Sequence, residues 1–280
     1  MSGLRGRLAP TPTGLLHVGH ARTFALAAAR AGSAGLVMRI EDLDGPRCRP
    51  EFAAAALDDL RWLGLAWTEG PDVGGPHGPY RQSERTAWYL DVWRRLEATG
   101  AIYPSPHSRR DVEAAAVAPH AADAESIFPP SLRPARRERA TAPGGVAWRF
   151  RVPDGRVIEF DDALQGRVRR TAGEDFGDFV VWRRDDLAAY ELAVVADDHA
   201  MEIAEVVRGA DLLTSTARQI LLAEVLGWEP PAWCHAPLVC DAAGHRLAKR
   251  TGGLAIRDLR AAGLSPADVL AWRPTALPLP

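Results

Sequence analysis

Lysine is almost absent from this chain of 280 residues. Lys249 is the one lysine among 34 Lys and Arg residues, and every other basic side chain is arginine. An arginine-based sequence favours a specific role for its remaining lysine, because a compact ammonium follows a phosphate in a way that a planar guanidinium does not. Codon bias, which leaves a lone lysine at any position, is the alternative. Lys249 is therefore a candidate phosphate-binding residue.

Cysteines and long apolar runs are also scarce. Cys48, Cys234 and Cys240 are odd in number and show no CxxC spacing, which argues against a disulfide framework and against a zinc ribbon. The N-terminus has no apolar signal-peptide segment. The most apolar early stretch, 24–38, is interrupted by Arg30 and is too short to span a bilayer. We therefore expect a cytoplasmic protein with no membrane partner.

The charges nearly balance, with a formal net charge of −2. The composition is that of an ordinary globular protein, and the length suits one sizeable domain or a core domain with an insertion. Because the net charge gives no overall attraction to nucleic acid, RNA contacts must depend on local patches. Four arginine clusters could contact an RNA backbone or could be solvated charged faces: 94–95, 109–110, 133–139 and 167–170.

Strand and helix patterns alternate along the chain. Strands at 4–9 and 35–40 flank a helix at 17–31, an opening that builds a parallel sheet. Further helices are expected at 50–63, 83–99, 214–226, 256–262 and 266–272, and further strands at 148–152, 157–160, 179–182, 192–195 and 237–240. Trp88 and Trp93 are expected in the core. The segment 108–111 predicts a capping box, and 119–145 reads as a mobile loop.

The segment His17-Val18-Gly19-His20 falls where a strand-ending loop becomes a helix. Backbone N–H groups and the helix dipole favour an anion there, and the two imidazoles lie on one face of the first turn. Gly19 lets a flat base approach the backbone. These features suit displacement at an α-phosphate. Two histidines that merely cap a helix are the alternative for this segment taken alone.

The segment 7–23 closely resembles the opening of the glutamyl-tRNA synthetases. The resemblance continues at 39–44, 70–76, 79–85, 173–184, 190–195 and 205–213, and covers most of 4–105 and 146–272. The segment 246–250 resembles a degenerate form of the family's lysine-bearing KMSKS loop. It reads RLAKR instead of KLSKS, so we expect activity with an altered ATP affinity.

Only 31 residues follow Lys249, whereas glutamyl-tRNA synthetases continue into helical anticodon-binding domains. The chain thus resembles the short branch of that family, the glutamyl-Q tRNA(Asp) synthetases. This resemblance implies that ATP with Mg²⁺ activates L-glutamate to glutamyl-adenylate without tRNA. Glutamate then passes to the queuosine base in the anticodon of tRNA(Asp). A monomer is typical of the family.

The implied fold is α/β, a class I synthetase Rossmann-type parallel sheet with an inserted smaller subdomain and short C-terminal helices. We expect the halves of the catalytic domain at 1–103 and 171–275, the insertion at 104–170 and a tail at 276–280. The insertion of the short branch often holds zinc. The aligned ligand positions here are Pro104, Pro106, Phe128 and Leu132, which offer no ligand atoms, so we expect no structural zinc. His107 and His120 lie nearby and are expected to be solvated.

The resemblance also assigns roles to single residues. Those implied for glutamate are Arg7, Ala9, Thr11, Glu41, Tyr190 and Arg208; those for ATP are His17, Gly19, His20 and Lys249. His17, His20 and Lys249 are the expected catalytic groups, with Lys249 on the leaving pyrophosphate. The two guanidinium groups of Arg7 and Arg208 and the carboxylate of Glu41 match the two carboxylates and the one ammonium of glutamate. The alternatives are a solvated strand end for Glu41 and a surface ion pair for Arg208.

Three other functions remain open at this point. The first is a truncated glutamyl-tRNA synthetase-like protein with another acceptor. The second is a different HxGH nucleotidyltransferase acting on a phosphorylated small molecule, against which the amino-acid pocket argues. The third is a catalytically weak RNA-binding or regulatory paralogue, for which the lost zinc positions and the altered lysine loop argue.

Overall fold

The computed structural model describes residues 3–108, 110–112, 127–135, 139–238 and 255–271. Its strands are β1 (Gly6–Leu8), β2 (Leu36–Met38), β3 (Ile102–Ser105), β4 (Ala147–Phe150), β5 (Val157–Asp162), β6 (Gly166–Thr171), β7 (Phe179–Trp182), β8 (Glu205–Gly209) and β9 (Ala232–Ala236). Its helices include α1 (Val18–Ala31), α2 (Pro50–Trp62), α3 (Thr86–Thr99), α4 (Tyr190–Ala200), α5 (Leu213–Leu226), α6 (Ile256–Ala261) and α7 (Pro266–Ala271). Among the described residues, no helix has the length and apolar character needed to cross a membrane.

The chain divides into two compact units. The first comprises Met1–Glu84, Met201–Asp211 and Pro231–Pro280; the second comprises Arg85–Ala200 and Leu212–Pro230. These units group residues that pack together, and neither of them begins or ends at the bounds 104–170 expected for the insertion. The insertion therefore stays a prediction. The expected tail at 276–280 and residues 119–126 and 136–138 of the loop expected at 119–145 lie outside the described residues.

Parallel strands form the framework of the first unit. β1 pairs in parallel with β2, and β8 pairs in parallel with β9, which places Arg208 opposite His235. The carbonyl of Arg5 accepts hydrogen bonds from the N–H groups of Ala204 and Glu205 at 2.9 and 3.1 Å, which joins β1 to β8. Parallel strands with helices between them confirm the α/β class predicted from the sequence.

The core of the first unit lies between these strands and the helices that pack on them. The residues that α1 supplies to one face of this core include Ala21, Phe24 and Ala27. Those that the four strands supply to the other face are Leu8, Leu36, Met38, Val207 and Cys234. Ile256 and Leu259 of α6 belong to the same core. The helix that follows the lysine segment is therefore anchored in the first unit.

Antiparallel strands characterise the second unit. β4 lies between β3 and β7, and β5 and β6 form a hairpin. Trp93 of α3 meets Trp148 of β4 edge-on, with ring centroids 4.8 Å apart, and both side chains are buried. Edge-to-face packing of two large rings is a favourable core contact. The reciprocal bonds between Ser108 and Asp111 confirm the predicted capping box.

Two predicted strands are wrong. The run 192–195 lies inside α4, where residues on nearly every side are buried. A short, uniformly apolar run cannot be told from a buried helix by periodicity, and the helix prevails here. The strand predicted at 237–240 is instead Ala232–Ala236, while 239–240 lie outside the described residues.

Other boundaries also shift. The helix predicted at 83–99 begins at Thr86, and Trp88 is half-buried, not a core residue. The sequence did not predict β3, β6 and β8. In β6 only Val168 is buried, so the strand lacks an apolar pattern that could reveal it. The helices predicted at 17–31, 50–63 and 214–226 are confirmed to within one residue at each end.

Candidate active site

His17 and His20 both cap the N-terminus of α1. The N–H of Gly19 donates to Nδ1 of His17 at 3.1 Å, and the N–H of His17 donates to Nδ1 of His20 at 3.2 Å. The two ring centroids are 3.8 Å apart. This reciprocal pattern is a capping box built from imidazoles. The capping explanation of the two histidines is therefore correct.

Capping and phosphate binding are compatible in this arrangement. A ring nitrogen that accepts a hydrogen bond carries no proton, so a neutral imidazole capped through Nδ1 holds its hydrogen on Nε2. An Nε2–H group is a donor, which is the role that a phosphate oxygen requires. His17, Gly19 and His20 are each half-buried, at a helix N-terminus that itself favours anions. The caps thus fix the tautomer that phosphate binding needs.

Lys249 and the rest of the RLAKR segment lie outside the described residues. The first described residue after them, Ala255, forms an antiparallel bridge with His17. The N–H of Ile256 also donates to the carbonyl of Leu16 at 2.9 Å. Ala255 is six positions after Lys249, and an extended chain of that length spans at most about 20 Å. The chain therefore meets the histidine loop soon after Lys249.

Arg7 is a buried cation on β1. Arg7 is only 4% exposed, and its Nη1 donates a hydrogen bond to the carbonyl of Val207 at 3.1 Å. Val207 precedes Arg208 on β8. The hydrogen bond from Arg7 to Val207 and the backbone bonds to the carbonyl of Arg5 therefore place the two expected carboxylate-binding arginines on neighbouring strands. Burying two guanidinium groups near each other favours an anionic partner.

Glu41 is buried beside a second buried charge. Nη2 of Arg39 donates to Oε1 of Glu41 at 3.0 Å, and Arg39 is fully buried. The N–H of Glu41 donates to the carbonyl of Pro10 at 3.0 Å, which sets Glu41 against the loop that follows β1. The solvated strand end considered from the sequence is therefore wrong. A buried carboxylate held by a guanidinium stays ionised and can accept from an ammonium group.

Arg208 is buried on β8 and contacts two residues of β9. Its Nε donates to Nε2 of His235 at 3.1 Å, and its guanidinium carbon lies 5.2 Å from the ring centroid of Trp233. Arg208 is 5% exposed and His235 is fully buried. The surface ion pair considered for Arg208 is therefore wrong. The two contacts restrict the guanidinium to one orientation.

The remaining residues expected to bind glutamate are less enclosed. Ala9 is half-buried and Thr11 is exposed, both in the loop after β1. Tyr190 is the first residue of α4, is 39% exposed and belongs to the second unit. The first unit thus holds Arg7, Ala9, Thr11, Glu41, Arg208 and the two histidines. The role of Tyr190 toward glutamate stays a prediction.

The sequence did not single out Arg39, Trp233 and His235. Arg39 could have been noticed, because it follows the apolar run Leu36–Met38 and a charge at the end of such a run needs a partner. Trp233 and His235 lie on β9, whose position was predicted wrongly. No sequence signal connected them with Arg208, because their contacts with it depend on the register in which β8 pairs with β9.

Comparison with known proteins gives a consistent family. The family described as tRNA synthetases class I (E and Q), catalytic domain, matches residues 3–271. A glutamyl-Q tRNA(Asp) synthetase of Symbiobacterium thermophilum is 49% identical over 95% of this chain and 84% of its own length. One of Nitratidesulfovibrio vulgaris is 46% identical over 96% of this chain and 85% of its own length.

The chain belongs to the class I (E and Q) tRNA synthetases, and within them to the glutamyl-Q tRNA(Asp) synthetase family. Its fold agrees with solved members of the class. The structure of a glutamate tRNA ligase from Elizabethkingia meningosepticum, in complex with its amino acid, superposes with a TM-score of 0.72 at 28% identity. The match covers 93% of this chain and 53% of that ligase, so the chain spans about half the length of that protein.

An apolar cluster contains Phe128 and Leu132, two of the four positions aligned with zinc ligands of the short branch. Phe128 packs with Tyr103 and Val112, and Leu132 packs against them. The guanidinium carbon of Arg149 lies 4.4 Å from the centroid of the Phe128 ring. These groups do not fit a zinc ion, because none supplies a thiolate or an imidazole. Over the described ranges, no group of three His, Cys, Asp or Glu side chains is suited to a metal.

Arg133 binds the segment that carries this cluster to the sheet of the second unit. Its Nε and Nη2 donate to the two carboxylate oxygens of Asp178 at 2.8 and 2.7 Å, and it also pairs with Asp154. Tyr103 donates its hydroxyl to Asp178 at 2.5 Å, and the N–H of Val152 donates there at 2.9 Å. Asp178 is buried. Burial and the bond to Asp178 raise the pKa of Tyr103, which therefore stays a donor.

The arginine clusters differ in the partners that they already have. Arg133 is engaged with Asp154 and Asp178, and Arg167 pairs with Glu159 and Asp161. The clusters also include 109 and 136–137, which lie outside the described residues. Arginines whose charge is already paired are poorer candidates for a phosphate contact.

Proposed function

We propose that this protein uses ATP with Mg²⁺ to activate L-glutamate as glutamyl-adenylate without tRNA, and then transfers glutamate to the queuosine base in the anticodon of tRNA(Asp). The observation that carries this proposal is the 49% identity to a glutamyl-Q tRNA(Asp) synthetase along 95% of the chain. The partners are L-glutamate, ATP and the tRNA(Asp) anticodon stem-loop. The monomeric state and the cytoplasmic location stay predictions.

In the activation step, a carboxylate oxygen of glutamate attacks the α-phosphorus of ATP, and the bond to pyrophosphate breaks. His17 and His20 hold Nε2–H donors beside a helix N-terminus, which favours binding of the phosphate oxygens. Lys249 is assigned to the leaving pyrophosphate, and the bridge from Ala255 to His17 supports that assignment. Catalysis here consists mainly of positioning and charge stabilisation.

The charges in the first unit support glutamate as the amino acid. Arg7 and Arg208 are buried cations on neighbouring strands of the first unit, suited to carboxylates. Glu41 is a buried carboxylate that accepts a hydrogen bond from Arg39 and is suited to the substrate ammonium. Glutamate carries two carboxylates together with one ammonium, and this set of charges matches that combination better than it matches a phosphate ester, so it disfavours the alternative nucleotidyltransferase.

Glutamate-dependent exchange of labelled pyrophosphate into ATP, with no RNA present, tests the activation step. The wild-type protein should show exchange with glutamate and little with aspartate. Lys249→Ala should abolish exchange. Lys249→Arg should remain severely impaired, because the planar guanidinium of arginine cannot reorient toward the moving phosphate as the compact ammonium of lysine does. The absence of wild-type exchange would refute the enzyme and leave an RNA-binding paralogue.

Transfer is tested separately with tRNA(Asp) that contains queuosine and the same tRNA that lacks it. Incubation with enzyme, ATP and glutamate should attach glutamate only to the queuosine-containing tRNA, detected by mass analysis of its nucleosides. Exchange activity without this product would point to another acceptor. Glutamate on the 3′ end of tRNA would contradict the proposed acceptor directly.

A further inference from the structure

Four side chains of the second unit form a column of flat groups. The ring of His199 lies on that of Trp228, with centroids 4.0 Å apart and planes 7° apart. The centroids of the Trp228 and Trp88 rings are 6.2 Å apart, and the angle between the two ring planes is 18°. The guanidinium carbon of Arg95 is 5.7 Å from the centroid of Trp88. Three nearly parallel rings thus adjoin one cation; we name these four residues the aromatic column.

The backbone fixes the two tryptophans of the aromatic column. Helix α5 ends at Gly227, whose φ of 70° is left-handed. The N–H of Trp228 then donates to the carbonyl of Ala223 at 2.8 Å, which is the closing bond of a Schellman motif. Trp88 donates its indole N–H to the carbonyl of Ala196 at 3.2 Å. The backbone of Trp228 and the indole of Trp88 are therefore each held by a hydrogen bond within the protein.

The aromatic column is not part of the buried core. His199 and Arg95 are exposed, and the two tryptophans are half-buried, whereas Trp93 on the same helix α3 is fully buried. Large aromatic rings held rigidly at the surface are typical of binding surfaces. Because His199 is exposed, its stacking on Trp228 is not needed to pack α3, α4 and α5 together.

The charges of the aromatic column favour a polyanion with flat groups. Arg94 is paired with Asp91 at 2.6 Å, whereas Arg95 has no ion pair within the described part of the chain. Partial desolvation of His199 lowers its pKa, and the charge of Arg95 lowers it further, which favours the neutral imidazole. The column therefore presents the exposed ring of His199, backed by the two tryptophans, together with one cation that has no ion pair among the described residues.

We infer that the aromatic column is a stacking surface for unpaired bases of an RNA loop, with Arg95 placed against a neighbouring phosphate. Single-stranded RNA is bound through bases on aromatic rings and through arginine on the backbone. An apolar peptide has no partner for the charge of Arg95. The inference rests on the proposed function, since the anticodon loop of tRNA(Asp) is the unpaired RNA that this enzyme meets.

Binding of a fluorescein-labelled RNA hairpin with the anticodon-loop sequence of tRNA(Asp) tests the inference, with a continuous duplex of the same stem as comparison. His199→Ala and Trp228→Leu should each weaken hairpin binding about tenfold, because one base stack is lost. Arg95→Ala should weaken it similarly and lower the salt slope by about one. Duplex binding should change little in the two ring variants.

Arg94→Ala is the matched control, because it removes a neighbouring arginine that is already paired with Asp91. It should bind the hairpin nearly as the wild type does. His199→Ala and Arg95→Ala alter exposed side chains, so their folding, checked by thermal melting, should be preserved even where Trp228→Leu is not.

Pyrophosphate exchange in the same variants separates the two proposals. Normal exchange with weakened hairpin binding supports the aromatic column as an RNA surface. Normal exchange with unchanged hairpin binding overturns it and leaves the proposed function intact. A change in sedimentation of His199→Ala, with hairpin binding unchanged, would assign the surface to a second copy of the chain. Absence of exchange in the wild type overturns the proposed function instead.

Discussion

Arg208 donates its Nε hydrogen to Nε2 of His235 at 3.1 Å, and both side chains are buried. For this bond to form, Nε2 of His235 must be unprotonated, so the ring is neutral with its hydrogen on Nδ1. The residue that restricts Arg208 therefore adds no second positive charge to the pocket. His235 is thus a positioning residue for the proposed carboxylate contact.

Removing the acceptor of His235 should weaken glutamate binding more than turnover. We expect His235→Phe to raise the KM for glutamate in pyrophosphate exchange about tenfold, because a hydrogen bond to a charged group is worth about 1.5–3 kcal/mol. The KM for ATP should stay nearly constant. Trp233→Phe keeps an aromatic ring under Arg208 and should change the KM for glutamate much less. Equal losses for both substrates would indicate general damage to the fold instead.

The two roles of His17 are separable by a substitution that retains only one of them. Aspartate is a strong N-cap, so His17→Asp should keep the stability of the wild type, whereas His17→Ala should lose about 1 kcal/mol. Both should lose nucleotide activation, because aspartate repels the phosphates that an Nε2–H group binds. Thermal melting and pyrophosphate exchange measure the two effects. An active His17→Asp protein would show that His17 only caps the helix.

The sequence predicted the parts of the site that depend on local pattern. The helix after His17, the loop after β1 and the parallel strand class could all be located from local patterns, because propensity and spacing act between residues close together in the sequence. Arg7, Glu41 and Arg208 were singled out through the family resemblance, and their roles toward glutamate stay predictions.

What the sequence missed depends on contacts between distant residues. The bond from Arg208 to His235 requires the register of β8 with β9, and the apolar strands and helices have no pattern that specifies it. The run 192–195 appeared to be a strand because burial on all sides removes the helical period. The aromatic column similarly joins residues of α3 and α4 with Trp228, which follows the end of α5. Tertiary packing decides such features, and local patterns do not encode it.

A buried carboxylate in the first unit should make stability sensitive to acid. Burial by itself raises the pKa of Glu69, but hydrogen bonds from Arg5, His77 and Tyr80 outweigh it and lower the pKa to about 2. Because the folded pKa lies below the ordinary value of 4.5, Glu69 stabilises the fold fully above about pH 4.5 and loses this contribution as the pH falls toward 2. We expect Glu69→Gln to lower the urea midpoint at pH 7.

The pH dependence distinguishes this effect from ordinary loss of packing. The difference in urea midpoint between wild type and Glu69→Gln should shrink steadily between pH 4.5 and the lowest pH at which the protein is folded. Glu51→Gln alters an exposed, weakly paired carboxylate and serves as the control. A difference that stays constant over this range would contradict the role assigned to the ionised carboxylate.

The apolar cluster around Phe128 predicts that no metal supports the second unit. Purified protein should contain far less than one zinc per chain by metal analysis. Incubation with a chelator should leave the melting temperature unchanged, because a structural zinc contributes folding free energy and its removal lowers stability. A stoichiometric zinc, or a clear drop in melting temperature with chelator, would refute this prediction.

Arg133 should be a principal source of stability for the segment that carries Phe128. Removing one partner of a buried ion pair leaves an uncompensated charge, so Arg133→Ala should lower the free energy of unfolding by about 3–5 kcal/mol. Arg133→Lys should recover only part of this, because an ammonium cannot make the paired bonds of Nε and Nη2 to Asp178. Arg167→Ala breaks an exposed pair with Glu159 and should change the stability much less than Arg133→Ala, because solvent screens an exposed ion pair. Urea unfolding of the three variants measures these differences, and equal effects of Arg133→Ala and Arg167→Ala would show that the Arg133 contacts do not hold the segment.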